Sequence, residues 1–555
     1  MRRSPLPAAL TALALAATLA ACSTSRGSSG SDASNIDTLN MTASSATSTF
    51  VRNWNGFSPA TDKAPGTSFF YEPLIRIDTM HAKTPEGWLA KSFAWSNAGK
   101  TLTFHLRPGV TWSDGKPFTS ADVRYTFELP TKTPGLAVVP IGYRSLATPD
   151  AHTVVIDFAK PAYQKLATFS TLNIYPQHIW AHHNPKSWTN PDPVGTGPAT
   201  VSGFSPQQIA LTMRKNYWGG PGKGVKKVDI KAFATPETAK AMVLNNQLDW
   251  TSINWQSAKK YFTSKDPAHN HYWVYPTGGD SGLDYNTGKA PLDDVHVRRA
   301  LSYAADPQKL LPLAPTGQGV ANVTGYSAAV YGSLIAPAYR NQKVTADLSK
   351  AKAELAKASY KLNSSGVFTK GGKAYPLTIK SVAEYTNWPV WADGLAEQWK
   401  EDLGLKVSAV RVPLAQMTPQ LSKGDYDIAW DWQVNGSSAW ASAFGVLHSA
   451  NTAPEGKPAL TDYTRWNNPT TDRLLNAWQN TNPADLAAQQ KYAYQLQKIT
   501  VDNMPFRPLV DNGSFVVASS KNWTGWPSPA NTNYVPGPTS GPDTTMTVLN
   551  LKPTR

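Results

Sequence analysis

The clearest alternation of apolar and polar positions lies between residues 100 and 112. Residues 101–106 read Thr-Leu-Thr-Phe-His-Leu, so every second side chain is apolar. A period of two is typical of a strand with one buried face. The Pro-Gly pair at 108–109 and the Asp-Gly pair at 114–115 predict tight turns on either side of a short continuation through Val110 and Trp112.

Helical spacing follows directly after this strand and recurs along the chain. Thr119 and Asp122, three residues apart, predict a capping box, and the helix they start is predicted over 123–129. A second helix is predicted to begin near Pro291, because apolar residues at 297, 300, 301 and 304 share one face. Further helices are predicted from 306–307 and over 348–358, 391–403 and 484–501, and further strands over 405–412 and 427–432. The mixture predicts an α/β or α+β body.

The N-terminus carries the pattern of an export signal. Arg2 and Arg3 precede an apolar run over 6–21, which ends in Leu-Ala-Ala before Cys22. A positive start, a short apolar stretch and small residues before a cleavage point are typical of a secretory signal. The run is shorter than the roughly 20 residues that a membrane-spanning helix needs. Leu-Ala-Ala-Cys resembles a bacterial lipobox, which implies removal of residues 1–21 and lipid attachment at Cys22. An ordinary signal peptide with an incidental cysteine is the alternative.

Residues 22–35 are predicted to form a flexible tether. They lack large apolar side chains and are rich in Ser and Gly, so they cannot bury enough surface to fold. A lipid anchor followed by a tether holds a folded body close to the membrane. We therefore expect the mature chain at the cell membrane, lipid-anchored on its extracytoplasmic face.

Composition narrows the classes of function. The chain has 555 residues, a length that predicts about three folding units. Hydrophobic residues make up 41% of it, which is enough for sizeable cores. Its single cysteine excludes an intrachain disulfide and a cysteine-based zinc finger. Charged residues make up 16%, below the roughly 25% of typical soluble domains, so uncharged polar side chains must cover much of the surface. The 20 Trp outnumber the 17 Phe, which indicates either large cores or aromatic surfaces that bind ligands.

The net charge of +15 does not predict a nucleic-acid partner. Lysines are scattered, and the sequence contains no basic stripe or nucleic-acid-binding motif. Solubility from net charge is the simplest interpretation. Attraction to anionic lipid or wall polymer is the alternative.

Four segments carry motifs that occur together in one protein family. Residues 89–128 contain a Phe-x-Leu-Arg-x-Gly strand, an Asp-Gly turn and an Ala-Asp-Val helix start; residues 194–198 read Val-Gly-Thr-Gly-Pro, with Asn-Tyr-Trp at 216–218; residues 285–306 begin Tyr-Asn and contain Pro-Leu-Asp-Asp; and residues 423–429 read Lys-Gly-Asp-Tyr-Asp-Ile-Ala. In this order they resemble family 5 of the bacterial extracellular solute-binding proteins, the oligopeptide- and dipeptide-binding class. The resemblance covers about 70 to 430.

The resemblance implies an α/β fold of the periplasmic-binding-protein type II kind, with three lobes and a ligand cleft between the two large lobes. Lobe I would comprise 36–68, 194–282 and 505–555, lobe II the insertion 69–193, and lobe III residues 283–504. Chain crossings near Gly282 and Met504 would act as hinges. The implied protein is a monomer without a cofactor, which passes a small-molecule solute to the permease subunits of an ABC importer.

One departure from the family leaves the solute class open. In peptide-binding members, an Asp shortly after a Trp in the strand near 430 meets the ammonium group of the peptide. If Trp432 is that Trp, Asn435 takes the place of the Asp, and a buried ammonium would lack its counter-charge. Asp431 could replace it, although strand alternation turns Asp431 away from the face of Trp430 and Trp432. The resemblance predicts an oligopeptide, with a neutral oligosaccharide as the alternative.

Further ligand contacts are expected at aromatic and amide side chains. A sugar ring offers an apolar face to Trp and hydroxyl groups to Asn, whereas packing within a core is the competing interpretation for each residue. The remaining candidates are Trp440, Trp54, Asn55, Trp255, Tyr285 and Asn286.

Neither an enzyme nor a metal site is predicted. The sequence contains no Gly-x-Ser-x-Gly elbow, P-loop or dinucleotide fingerprint. His182 and His183 are the only adjacent histidines, and no His-Glu-x-x-His motif or acidic calcium loop occurs.

Overall fold

Strands and helices alternate along the chain in the computed structural model, which describes residues 36–43, 46–59, 62–78, 80–81, 84–138, 140–433, 436, 438–538 and 541–554. The strands are β1 Thr38–Thr42, β2 Ile75–Ile77, β3 Pro85–Gly87, β4 Ala90–Ser96, β5 Thr101–Leu106, β6 Ser145–Asp150, β7 Thr153–Asp157, β8 Ala199–Ser205, β9 Gln208–Met213, β10 Lys227–Lys231, β11 Trp250–Thr251, β12 Asn270–Tyr285, β13 Lys361–Leu362, β14 Phe368–Lys370, β15 Lys373–Tyr375, β16 Leu377–Val382, β17 Val407–Val412, β18 Ile428–Trp432, β19 Phe506–Ser519, β20 Trp523–Thr524 and β21 Lys552–Pro553.

The α-helices are α1 Ser120–Lys132, α2 Gln177–Trp180, α3 Pro236–Leu244, α4 Ala258–Tyr261, α5 Val295–Ala304, α6 Pro307–Leu310, α7 Ala328–Tyr331, α8 Leu348–Lys357, α9 Trp388–Leu403, α10 Leu414–Lys423, α11 Ala439–Leu447, α12 Pro469–Gln479, α13 Leu486–Asn503 and α14 Pro542–Asn550. Short 3₁₀ helices cover Thr67–Phe69, Asn97–Gly99, Tyr163–Ser170, Thr263–Lys265, Leu311–Leu313, Gly332–Leu334 and Ser449–Asn451. Within the described ranges, none of these helices has the length and apolar character that crossing a bilayer requires.

The largest sheet of the described residues contains ten strands in the order β17-β16-β18-β12-β19-β11-β1-β10-β9-β8. β16 runs parallel to β17 and β18, and β1 runs parallel to β10 and β11. β12 and β19 pair antiparallel in the centre, with lengths of 16 and 14 residues. They therefore connect the two halves of the sheet. A separate antiparallel sheet, β4-β5-β7-β6, lies within 69–193. The predicted mixed α/β fold is confirmed.

Buried apolar side chains form several clusters. One lies around Phe104 within 74–174, a second around Trp391 and Trp430, and a third around Trp478. Residues 37–554 nevertheless form one compact unit, so the three lobe boundaries stay a prediction.

The strand and turns predicted near residue 100 agree with the structure. β5 covers the alternating segment, and Gly109 and Gly115 adopt φ values of 76° and 87°, which only glycine tolerates easily. Thr119 and Asp122 form the predicted capping box at the start of α1. The local pattern was sufficient here because each turn and cap uses residues next to one another in the chain.

Some helix starts differ from the prediction by a turn or less. α5 begins at Val295 and not near Pro291, because the Asp294 side chain accepts a hydrogen bond from the His296 N–H at 2.8 Å and caps the helix there. α9 begins at Trp388, three residues before its predicted start, with a proline in its first turn. This earlier start places Trp388 at a cavity of the protein, which is described below.

Candidate functional site

A cavity of about 500 Å³, here called the central cavity, lies beside the two long central strands. The pairing of β12 with β19 changes register there, since Pro276 faces Gly513 but Asp280 faces Asp511. Three residues of β12 thus lie opposite one residue of β19, an irregularity that bends the bulged strand and increases its local twist. Gly513 lines the cavity, and a Cβ added there would lie 2.1 Å from Val274 Cγ1. The Val274 side chain therefore leaves no room for a Cβ at position 513 unless it moves.

An aromatic wall forms one side of the central cavity. Trp432, the last residue of β18, is 44% exposed, while its ring lies edge-on to Trp388 at a centroid distance of 4.8 Å. Tyr385 lies 5.6 Å from Trp432 and 4.8 Å from Trp388. The three rings hold one another in edge-to-face contacts, which aromatic quadrupoles favour. Tyr385 and Trp388 therefore fix the position of the Trp432 ring, and part of its indole surface stays exposed to the cavity.

Trp430 lies two residues earlier on the same strand and is fully buried. Its ring packs against Trp391 of α9 at 5.5 Å. Trp391 lies one helical turn after Trp388, so α9 contacts Trp430 through Trp391 and Trp432 through its first residue, Trp388. The competing interpretation, packing within a core, applies to Trp430.

Asp431 points to the opposite face of β18, as strand alternation predicts. It faces Gly282 of β12, so it lies diagonally from Asp284 on the same face of the sheet. Burial raises the pKa of Asp431 to about 7, and burial together with the charge of Asp431 raises the pKa of Asp284. Gln433 Nε2 donates a hydrogen bond to Asp284 Oδ1 at 3.2 Å. This acidic pair belongs to a buried network beside the aromatic wall.

The polar wall of the central cavity carries almost no charge. Its amide side chains are Asn254, Gln318, Asn387 and Asn512. Among the described lining residues, Glu384 is the only charged one, and it is exposed and accepts a hydrogen bond from the backbone N–H of Leu414 at 2.9 Å. A solute held here meets amides, hydroxyls and aromatic faces.

Two buried oxygen atoms at this wall have no partner among the described residues. They are Asn254 Oδ1 and Thr386 Oγ1, and both residues line the central cavity. A buried polar atom without a partner costs about 1–3 kcal/mol. The hydrogen-bonding capacity of these two atoms is therefore unused among the described residues.

Trp54 and Asn55 lie in the interior and not along the central cavity. Trp54 is 1% exposed, and its Nε1 donates to the carbonyl oxygen of Pro65 at 3.0 Å. Asn55 Nδ2 donates to the carbonyl oxygen of Pro185 at 2.8 Å, while its Oδ1 accepts from the N–H of Phe57 at 2.7 Å. These bonds join two distant loops, which favours a structural role.

Trp255, Tyr285 and Asn286 are also buried. Trp255 stacks on Phe262 at a ring-centroid distance of 4.9 Å, whereas its neighbour Asn254 lines the central cavity. Tyr285 and Asn286 are 0% exposed. Asn286 Nδ2 donates to the carbonyl oxygens of Gly424 and Tyr426 at 3.1 and 3.2 Å, so it ties β12 to the segment before β18.

Three further predicted site residues are Trp440, Asn435 and Cys22. Trp440 is half-buried and lines a second cavity, not the central one. Asn435 and Cys22 lie outside the described residues. The structure thus brings Trp432 to the central cavity and distributes the other described candidates elsewhere.

Sequence reasoning missed Tyr385, Thr386, Asn387 and Trp388, which line the central cavity consecutively. Their signal was present, because two aromatic residues, Tyr385 and Trp388, flank a Thr-Asn pair just before Pro389 in the first turn of α9. Among the described residues, no group of three or more His, Cys, Asp or Glu side chains is arranged to hold a metal ion.

Residues 84–454 match the family of bacterial extracellular solute-binding proteins, family 5, in its middle part. A peptide-binding protein assigned to an ABC transporter in Brucella ovis is 27% identical over 498 residues, which is 84% of this chain and 86% of the relative. The oligopeptide-binding protein OppA of Bacillus subtilis is 24% identical over 469 residues, 79% of this chain and 81% of the relative.

Solved structures agree on the fold. A periplasmic oligopeptide-binding protein of Thermotoga maritima superposes with a TM-score of 0.84 at 24% identity, covering 94% of this chain and 100% of that chain. The same Thermotoga protein with bound mannohexaose superposes with a TM-score of 0.78 at 24% identity, covering 94% of this chain and 99% of that chain. The chain therefore shares its fold with these two structures.

Proposed function

The chain belongs to family 5 of the bacterial extracellular solute-binding proteins, and from this premise we propose that its central cavity binds a neutral oligosaccharide for an ABC importer. The family binds solutes without chemical conversion, so the chain is an extracytoplasmic solute-binding protein and not an enzyme. The solute class and the lipid anchor are the steps beyond this membership.

The observation that carries the proposal is the exposed indole of Trp432 in a cavity whose polar lining is rich in amides and has one charged side chain, Glu384. A sugar ring has an apolar face that suits an indole, and its rim of hydroxyl groups can donate to Asn254 Oδ1 and Thr386 Oγ1. Each polar group of a buried solute needs such a partner. A zwitterionic peptide would instead need an anionic and a cationic partner, and Glu384 is the only charged side chain among the described lining residues.

An oligopeptide is the second candidate. The Brucella and Bacillus relatives are peptide-binding proteins, and Glu384 supplies one carboxylate that could meet an ammonium group. Extended peptides bind by strand-like backbone hydrogen bonds, which do not depend on a charged wall. A capped peptide would suit the central cavity better than a free one.

Binding would act through a shift between open and closed arrangements. The solute must prefer the closed arrangement, because a ligand moves an equilibrium only by its difference in affinity. The crossing strands β12 and β19 change register beside the cavity, and such a break in pairing is a suitable hinge. Closure would hold the solute for the permease, and lipid attachment at Cys22 would keep the protein near it.

Isothermal titration calorimetry tests the solute class. Manno-, cello- and xylo-oligosaccharides are compared with free peptides and with acetylated, amidated peptides of equal length. We expect binding of at least one oligosaccharide series, weakened by Trp432→Ala and largely retained in Trp432→Phe. Binding of free peptides alone, with no heat from any oligosaccharide, would refute the sugar proposal and favour the second candidate.

A further inference from the structure

A second cavity of about 490 Å³ lies between two parts of the chain that are distant in sequence. One wall comes from 77–167, within the predicted inserted lobe. The other comes from 331–334 and 438–489. The established family membership assigns no role to this space.

The second cavity is aromatic and uncharged. Trp95 and Tyr163 lie on the first wall, with ring centroids 5.1 Å apart, and Trp440 lies on the second wall. Trp440 stacks on Phe444 at 4.8 Å, and its Nε1 already donates to the carbonyl oxygen of Leu475 at 3.0 Å. The described residues that line the cavity include no charged side chain. Its walls therefore suit a ligand group with apolar faces and no charge.

Two buried donors of the first wall lack acceptors. Trp95 Nε1 and Gln164 Nε2 have no hydrogen-bond partner among the described residues, and both residues line the second cavity. Buried N–H groups are almost always paired in folded proteins. Oxygen atoms of a bound group would satisfy both donors.

A short piece of chain links the two cavities. Trp432 lines the central cavity and Ser438 lines the second one. Six residues of extended chain span at most about 20 Å, so the Cα atoms of Trp432 and Ser438 lie within that distance. The separation of these two lining residues is therefore within the length of an oligomer of several sugar rings.

We propose that the second cavity is a subsite for the distal ring of a long, uncharged oligosaccharide, with the aromatic side chains facing the ring and with Trp95 and Gln164 donating to its oxygens. This rests on the proposed function of the central cavity. A short ligand uses the central cavity alone. A long ligand occupies both cavities, so it gains affinity from a second contact on the same molecule.

The test is a length series of one sugar, from mannobiose to mannohexaose, measured by calorimetry on the full extracytoplasmic chain. Ala484→Trp fills the second cavity from an exposed position, and Ala487→Trp is the matched control because Ala487 is exposed and does not line it. Gln164→Leu removes one donor at nearly constant volume.

We expect the hexaose to bind wild-type protein at least about tenfold more tightly than the biose, and Ala484→Trp to reduce that ratio to about twofold or less. Ala487→Trp should keep the wild-type ratio, and Gln164→Leu should reduce it several-fold while leaving biose affinity unchanged. An unchanged ratio in a folded Ala484→Trp protein overturns the subsite and leaves the central-cavity proposal intact. Failure of the manno-, cello- and xylo-oligosaccharides alike to bind wild-type protein at any length overturns both.

Discussion

The same substitution at two tryptophans of β18 should affect different properties, namely folding stability at Trp430 and solute affinity at Trp432. Trp430 is fully buried against Trp391, whereas Trp432 is 44% exposed at the central cavity. Replacing each by alanine removes identical atoms from positions two residues apart. The comparison therefore separates support of the fold from contact with solute.

The expected magnitudes follow from burial and contacts. Trp430→Ala leaves a large void in a packed core, which costs about 3–5 kcal/mol of unfolding free energy. Trp432→Ala removes two edge-to-face contacts, each worth about 0.5–1.5 kcal/mol, so the loss is about 1–3 kcal/mol. Truncating an aromatic anchor of a binding site costs about 2 kcal/mol of binding free energy, which raises the Kd about thirtyfold.

Urea denaturation and calorimetry on the same preparations measure both quantities. We expect Trp430→Ala to lower the urea midpoint most, while its remaining folded fraction binds the solute nearly as tightly as wild type. Trp432→Ala should stay folded and lose affinity. Equal loss of affinity in both variants, or wild-type affinity in Trp432→Ala, would refute the assignment of the aromatic wall to solute binding.

Three other predictions concern two buried carboxyl groups, Asp431 and Asp462, the pairing of β12 with β19, and the lipid anchor. Burial raises the pKa of Asp431 to about 7 and that of Asp462 to about 8, above the unfolded value of about 3.9, so the folded state binds more protons. Their contribution to stability is complete below about pH 4 and is lost as pH rises to about 8; urea midpoints should fall over this window, and less so in Asp431→Asn. Gly513→Ala should lower the unfolding free energy by about 1–3 kcal/mol through overpacking, whereas Gly319→Ala, where a Cβ meets nothing within 4 Å, should change it little. Cys22→Ala should move the protein from the membrane pellet to the soluble fraction on cell fractionation.

Each of these has a result that would contradict it. Urea midpoints that rise steadily from pH 4 to pH 8 would mean that the carboxyl groups are charged in the fold. Equal midpoints for the two glycine variants would show that the strands near Gly513 can move apart without cost. Retention of Cys22→Ala in the membrane pellet would exclude the lipid anchor.

Much of the fold was predictable because its signals are local. The alternation over 101–106, the turns at 109 and 115, and the capping box of α1 each depend on residues within one or two turns of chain. Family membership followed from four short motifs in a fixed order and is confirmed by the match over 84–454. Helix starts were less certain, since Asp294 and not Pro291 caps α5.

The candidate site was predictable only in part. Residue types pointed to Trp and Asn, and Trp432 does line the central cavity. Trp54, Trp255 and Trp430 have the same composition signal but lie in cores, because exposure depends on which elements cover a side chain. A pattern of period two predicts which face of β18 a residue lies on. It does not predict which residues of that face another element, such as α9, contacts.

From local patterns, the sequence predicted individual elements such as β5, α1 and α8, the family, and the two faces of β18. The tertiary structure decided which residues of those faces meet a solute. α9 begins 44 residues before Trp432, and its first residue, Trp388, lies at the edge of the cavity. Trp391 of this helix packs on Trp430, while Trp432 stays 44% exposed at the cavity. The two tryptophans differ because burial results from contacts between segments that are far apart in the chain.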